Sequence, residues 1–134
     1  MRFDLVVLDT DILVALLKGN SEAIGKVRKL EENGELLSTT LITAYELMKG
    51  AYISSKPDEN LARVQDSIST LRVLELSLVA CEEAAKIYRQ LKEKGALIGE
   101  FDVLIAAIAM SNNEPLVTRD EHFRTIKGTR IIKW

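Results

Sequence analysis

"DLVVLDTDILVALLKGN", residues 4–20, decides how the rest of the chain is read. It opens with DLVVL (4–8), a short β-branched run that is apolar on both faces, and so reads as a strand buried between two layers. It continues as a helix closed by Gly19-Asn20. Two carboxylates, Asp9 and Asp11, stand at the junction between these apolar segments. Charges are seldom placed in such surroundings unless something neutralises them.

The strand-then-helix alternation continues along the chain. Residues 21–33 form a second helix, with Ala23, Val27 and Leu30 on one side and Gly34 after its end. ELLST (35–39) is a short strand, and Thr40 caps the next helix, where Ala44, Leu47, Met48 and Ala51 fall at i, i+3, i+4 and i+7. YISSKPDEN (52–60), with Pro57, marks a break before a helix striped by Leu61, Val64, Ile68 and Leu71. RVLEL (72–76) is a strand, and Ala84, Ile87, Tyr88 and Leu91 stripe a long helix ending at Lys94-Gly95. FDVLIAAIAMSN (101–112) is apolar nearly all round and so is a buried helix. PLVT (115–118) is a strand, DEHFRT (120–125) a turn of helix, and TRIIKW (129–134) a last strand. The expectation is one domain spanning 1–134: a three-layer α/β/α sandwich around a mainly parallel sheet of about five short strands.

The 134 residues are 47% hydrophobic and 28% charged, a soluble globular composition. With a net charge of -2, the whole-chain field does not attract a polyanion, so such a partner needs a local basic patch or bound cations. One cysteine, Cys81, excludes an intramolecular disulfide and points to a reducing compartment; its expected place is buried or half-buried near a helix start. One histidine, His122, excludes any two-histidine mechanism and any Cys/His zinc cluster. The longest apolar run, VLIAAIAM (103–110), is too short to span a membrane, and the N-terminus reaches an acid too soon for a secretory signal. A cytoplasmic protein with no membrane partner is expected.

In parallel sheets, ligands collect beyond the carboxyl ends of the strands. Asp9 ends the first strand and Asp120 lies just past PLVT. Glu46 sits about two turns into the helix after the second strand, off its apolar stripe, and Asp102 begins the most apolar helix. Glu31, Glu32, Glu82, Glu83, Glu93, Glu114 and Glu121 read as surface charges, and Asp4 belongs to the opposite edge. Four carboxylates in one cleft repel each other, and divalent cations relieve that repulsion. Oxygen ligands without His or Cys select Mg²⁺ or Mn²⁺, one or two ions, and make the cleft a candidate for phosphodiester displacement by activated water. Asp9, Asp11, Asp102 and Asp120 each also suit a helix cap; Glu46, in mid-helix, does not. For Asp11 a capping or supporting role is preferred.

VVLDTDILVALL, TTLITAYELMKGA, FDVLIAAIAMSNNEPLVTRDEHFRTI and RIIKW, in this order and spacing, resemble the PIN-domain ribonucleases, in particular the VapC-type toxins of prokaryotic toxin–antitoxin pairs. The resemblance puts the family's four acids on Asp9, Glu46, Asp102 and Asp120, and its strand-end hydroxyl on Thr118; Thr10, Asp11 and Arg119 are supporting or RNA-contacting candidates. It implies metal-dependent endonucleolytic cleavage of RNA, a cognate antitoxin and a homodimer. Asp11 lies outside the usual four.

Other readings remain open. LDTD also fits an aspartyl phosphatase, with Asp9 as nucleophile and Asp11 as general acid, although no lysine is placed at the later edge. A phosphoacceptor receiver expects an Asp after the third strand, where this chain has Ser77-Leu78. An RNA-maturation nuclease and a non-catalytic binding module keep the same fold. Residues 119–134 carry five basic side chains against two acids, and Arg119 with Arg124 are candidates to hold an RNA backbone. Any apolar residue left exposed on the helices at 21–33 and 57–71 offers a groove for an antitoxin helix.

Overall fold

A computed structural model describes residues 4–134. Five strands, β1 (Leu5–Leu8), β2 (Leu36–Thr40), β3 (Arg72–Leu74), β4 (Leu116–Thr118) and β5 (Ile131–Lys133), form one sheet in the order β3-β2-β1-β4-β5. Every pairing is parallel. The helices are α1 (Thr10–Leu17), α2 (Ser21–Glu32), α3 (Leu41–Tyr52), α4 (Pro57–Ser69), α5 (Leu78–Glu93) and α6 (Glu100–Ser111), with a 3₁₀ turn at Glu121–Thr125.

Side chains alternate across a strand, and here the alternation builds two cores. Val7 and Leu116 join α5, α6 and Phe123 on one face. Val6, Leu8 and Val117 join the apolar stripes of α1, α2, α3 and α4 on the other. This is the expected α/β/α sandwich. The stripes Ala23–Leu30, Leu47–Ala51 and Val64–Ile68 all turn inward, and α6 is buried at Val103 and from Ile105 to Ala109.

The helix ends follow the punctuation read from the sequence. Gly19 and Gly34, at φ +74° and +81°, take the left-handed conformation just past α1 and α2. Asn20 caps α2 by accepting from Ala23 N at 3.0 Å, and Thr40 caps α3 by accepting from Thr43 N at 3.1 Å. Thr40 is also the last residue of β2, so that strand runs one residue later than ELLST. RVLEL stops at Leu74: its partner strand ends where α3 begins, and Thr40 opposite Leu74 is the last available pairing.

Two expectations are corrected on α5. Its buried side is Ala80, Ala84, Ile87 and Leu91, which turns the neighbouring Cys81 outward, and this thiol is exposed rather than buried. Tyr88 lies at the margin of the same stripe and is exposed too. Among the described residues no helix is long and apolar enough to cross a membrane.

Gly25 sits exposed inside α2, and a Cβ built there meets nothing within 4 Å. Gly25→Ala should therefore stabilise the fold by roughly 0.5–1 kcal/mol through helix propensity alone, seen as a higher Tm with unchanged circular dichroism.

Candidate active site

The carboxyl ends of β1 and β4 lie side by side, and the amide of Asp9 donates to the Val117 carbonyl at 3.0 Å. Asp9 caps α1, its Oδ1 accepting from Thr10 N at 2.8 Å. Its side chain is only 4% exposed. Burial pushes the Asp9 carboxyl up to about 7; the Thr118 hydroxyl opposes this, Asp11 adds repulsion, the Thr10 amide opposes, and Asp102 repels in turn.

Thr118 explains how so buried an acid is satisfied. Its Oγ1 lies 2.7 Å from Asp9 Oδ2 and 3.0 Å from Asp11 Oδ2, and it accepts from the Asp120 amide at 3.1 Å. One hydroxyl proton cannot serve two carboxylates. A proton on Asp9 resolves the conflict, since Asp9 then donates to Thr118, which donates to Asp11.

Asp11 does not cap its helix; it ties distant segments together. Its Oδ2 also accepts from the Arg119 amide at 2.9 Å, and its Oδ1 accepts from the Trp134 indole at 3.1 Å. With both oxygens engaged, Asp11 is poorly placed to act as the general acid of a phosphatase. Trp134 as its partner was not legible in the sequence.

Glu46 rests on α3 and accepts from the Thr10 hydroxyl at 2.8 Å; that hydroxyl also sits 3.0 Å from Thr43 Oγ1, which contacts Thr40 Oγ1 at 3.3 Å. Thr10 is thus the support of Glu46, as Thr118 is of Asp9. Asp102 lies in the first turn of α6 without capping it: the N-cap is Gly99, with no side-chain bond. Burial raises the Asp102 carboxyl above its usual range, and repulsion from Asp120 and Glu46 adds to the shift. His122 partly opposes it, and Asp11 contributes further repulsion. Asp120 does cap the 3₁₀ turn, accepting from His122 N at 2.9 Å, and its Oδ1 stands 3.1 Å from His122 Nδ1.

Asp9, Glu46, Asp102 and Asp120 therefore belong to one electrically coupled cluster, with Asp102 as its common member. Glu46 and Asp102 share a cavity of about 360 Å³ lined also by Gly99, Glu100 and Phe101. All donors are oxygens and their mutual repulsion calls for positive charge, so they fit a hard divalent cation. Among the described residues no three acids, imidazoles or thiols stand close enough to enclose an ion directly. Water must complete any coordination shell here, as Mg²⁺ commonly requires.

Arg119 follows Thr118 but its side chain turns along the surface. The guanidinium lies 3.4 Å from the Trp134 ring centroid, and Nη2 pairs with Glu22 at 3.3 Å. Arg124 and Lys133 both pair with Glu121, at 2.6 and 3.6 Å. Much of the C-terminal basic excess thus meets acids on exposed surface, where such pairs contribute only about 0–1 kcal/mol and yield readily to another anion.

The PIN domain profile matches residues 6–128. The chain belongs to the PIN-domain family. Within it, the chain is similar to the tRNA(fMet)-specific endonuclease VapC of Salmonella typhimurium, 34% identical over 95% of this chain and 96% of the relative. Among solved structures, VapBC2 from Rickettsia felis bound to a promoter DNA fragment superposes with a TM-score of 0.90 at 26% identity, covering 97% of this chain and 98% of its counterpart. DNA-bound VapBC from Salmonella typhimurium gives 0.88 at 32% identity, with 99% of each chain covered. This PIN-domain chain is a nuclease of the VapC ribonuclease group.

The raised pKa of Asp9 makes the stability of the metal-free PIN domain depend on pH. Below pH 4 folded and unfolded chains both hold the proton. Between pH 4 and about 7 the unfolded chain ionises first, and the fold loses up to about 4 kcal/mol. Asp9→Asn keeps the shape, donates to Thr118 and carries no charge. In EDTA its Tm should exceed that of the parent by about 5 °C or more at pH 8, with the gap closing by pH 4. Equal gaps at both pH values would refute the assignment of the buried proton.

Proposed function

We propose that this chain is a Mg²⁺- or Mn²⁺-dependent endoribonuclease and the toxin of a type II toxin–antitoxin pair, acting in the cytoplasm on RNA phosphodiester bonds. The observation that carries the reading is the carboxylate cluster at the carboxyl edge of β1 and β4, where Asp9 is buried beside Thr118 and Glu46 shares a cavity with Asp102. Asp9, Glu46, Asp102 and Asp120 would hold one or two divalent cations. A cation bound there supplies charge neutralisation for a phosphate and acidifies water.

The chain's own groups prepare that chemistry. Thr118 and the Thr10 amide hold the two oxygens of Asp9, and the Thr10 hydroxyl holds Oε1 of Glu46, so both carboxylates have set orientations. Asp11 holds the backbone of Arg119, and with it the segment that carries Asp120. Glu46 and Asp102 line an open cavity that a phosphodiester backbone can enter. Arg119, whose ion pair with Glu22 is exposed, can leave that partner for an RNA phosphate.

Control by an antitoxin is supported by a groove of about 430 Å³ between α1, α3 and α4. Its wall includes Val14, Leu17, Leu47, Ala51 and Val64, and Thr10 and Glu46 stand at its margin. An amphipathic helix seated there can send an arginine or an acid into the carboxylate cluster. The groove takes Asn60, Arg63 and Val64 from α4 and no residue from α2, whose Ile24 is exposed elsewhere. A homodimer completes the reading: Leu78 and Val79, 87% and 67% exposed in the first turn of α5, offer apolar surface to a second copy.

The decisive assay incubates the purified chain with cellular RNA in Mg²⁺ and in EDTA. Cleavage should require the cation. Asp102→Asn should reduce it by more than the ~100-fold that outer supporting groups command, with the fold intact by circular dichroism. Unchanged cleavage by this variant would overturn the assignment. For the toxin role, co-expression with the adjacent small reading frame should yield a complex that is silent toward RNA until the partner is proteolysed. An adjacent product that does not bind, with normal growth when this chain is expressed alone, would favour an RNA-maturation nuclease.

A further inference from the structure

Tyr45 and Phe101 are exposed aromatic residues on different helices, and they touch. Their ring centroids are 5.6 Å apart with planes at 88°, an edge-to-face pair. Tyr45 is 53% and Phe101 36% exposed. Lys49, one turn after Tyr45 on α3, places Nζ 5.3 Å from the Tyr45 centroid and 5.5 Å from that of Phe101. Isolated exposed rings are ordinary on protein surfaces. This pair differs because of its position: Tyr45 immediately precedes Glu46, Phe101 immediately precedes Asp102, and Phe101 lines the same cavity as those two acids.

We propose that Tyr45, Phe101 and Lys49 form a stacking platform for an unpaired RNA base next to the bond being cut, a subsite that rests on the endoribonuclease reading above. An exposed ring face is what a splayed base needs, and such stacking tolerates any base. Edge-to-face contact between α3 and α6 fixes one ring against the other before any ligand arrives. The lysine ammonium held over the rings is a cation already placed beside them, on a long flexible stem, and it moves to a backbone phosphate when a base takes its place. Phe101 lines the cavity of Glu46 and Asp102, and Tyr45 and Lys49 stand against Phe101. A nucleotide whose phosphate faces Glu46 and Asp102 thus has its neighbouring base delivered to the rings.

The platform selects for single-stranded or loop RNA, since a base inside a duplex presents no free face. It does not read sequence; it sets where along a flexible strand the scissile phosphate comes to rest.

The test uses the full chain carrying Asp102→Asn, in Mg²⁺, with a short single-stranded RNA containing one 2-aminopurine. Binding should quench the probe. Tyr45→Ala and Phe101→Ala should each raise Kd by roughly 10-fold and remove the quench, whereas Phe101→Trp should retain both. Phe101→Leu keeps apolar bulk without a π face and should behave like Phe101→Ala; the Leu/Trp pair decides the matter if an alanine variant fails to fold. Parent-like Kd and quench in Tyr45→Ala and Phe101→Ala would overturn the platform alone. Loss in Phe101→Ala that Phe101→Leu restores, together with a shift from dimer to monomer in sedimentation, would assign the rings to an interface between copies and overturn it. No binding of the oligonucleotide by the otherwise unaltered Asp102→Asn chain would overturn the platform and the endoribonuclease reading together.

Discussion

Between β1 and β4 the ladder runs parallel, with Val7 against Leu116 and Leu8 against Val117, and the whole carboxyl edge depends on that register. It brings the end of the first strand beside the end of the fourth, more than a hundred residues later in the chain. Asp9 and Thr118 then meet at 2.7 Å without any loop having to reach for the other. A slip of one residue would reverse every side chain of β1, sending Val7 to the face of Val6 and Asp9 away from Thr118. The cores on the two faces of the sheet therefore enforce the site: packing on both sides holds the register, and the register holds the acids.

The second constraint is the handling of charge. Carboxylates that converge destabilise a fold unless hydrogen bonds or cations compensate. Here two threonine hydroxyls stand behind two of the acids, Thr118 behind Asp9 and Thr10 behind Glu46. The hydroxyl is small, neutral and able to donate or accept, so it serves whichever protonation state its partner adopts. A lysine or arginine in the same position would quench the negative field that a metal site needs. The polar interior of this sheet edge, which includes buried Ser38, Thr39, Thr40 and Thr43 as well, is built from such groups.

Much of this was legible in the sequence because it is local. Strands apolar on both faces announce a covered parallel sheet, glycines mark the ends of α1 and α2, and an acid just past a strand lies at the edge where ligands gather. The strand order is different. LVVL and PLVT look alike, and nothing in either says that they are neighbours. The role of Asp11 was hidden for the same reason: its partners, Thr118, Arg119 and Trp134, come from the far end of the chain. The same distance keeps Glu22 and Trp134 out of any reading of Arg119, which the sequence alone leaves free to face the acids. Cys81 misleads through its type, since the habit of burial belongs to cysteines in general and the helical phase of α5 overrides it here.

Trp134 is the chain's only tryptophan, and it is attached to the site by two different interactions. Its indole nitrogen donates to Asp11, and its ring carries the guanidinium of Arg119. Indole emission is sensitive to a stacked cation and to the polarity around the ring nitrogen. The molecule thus contains a single indole fluorophore, wired to the segment between β4 and the 3₁₀ turn. Whatever draws Arg119 off the ring, or alters the charge that Asp11 presents, is converted into light without a label.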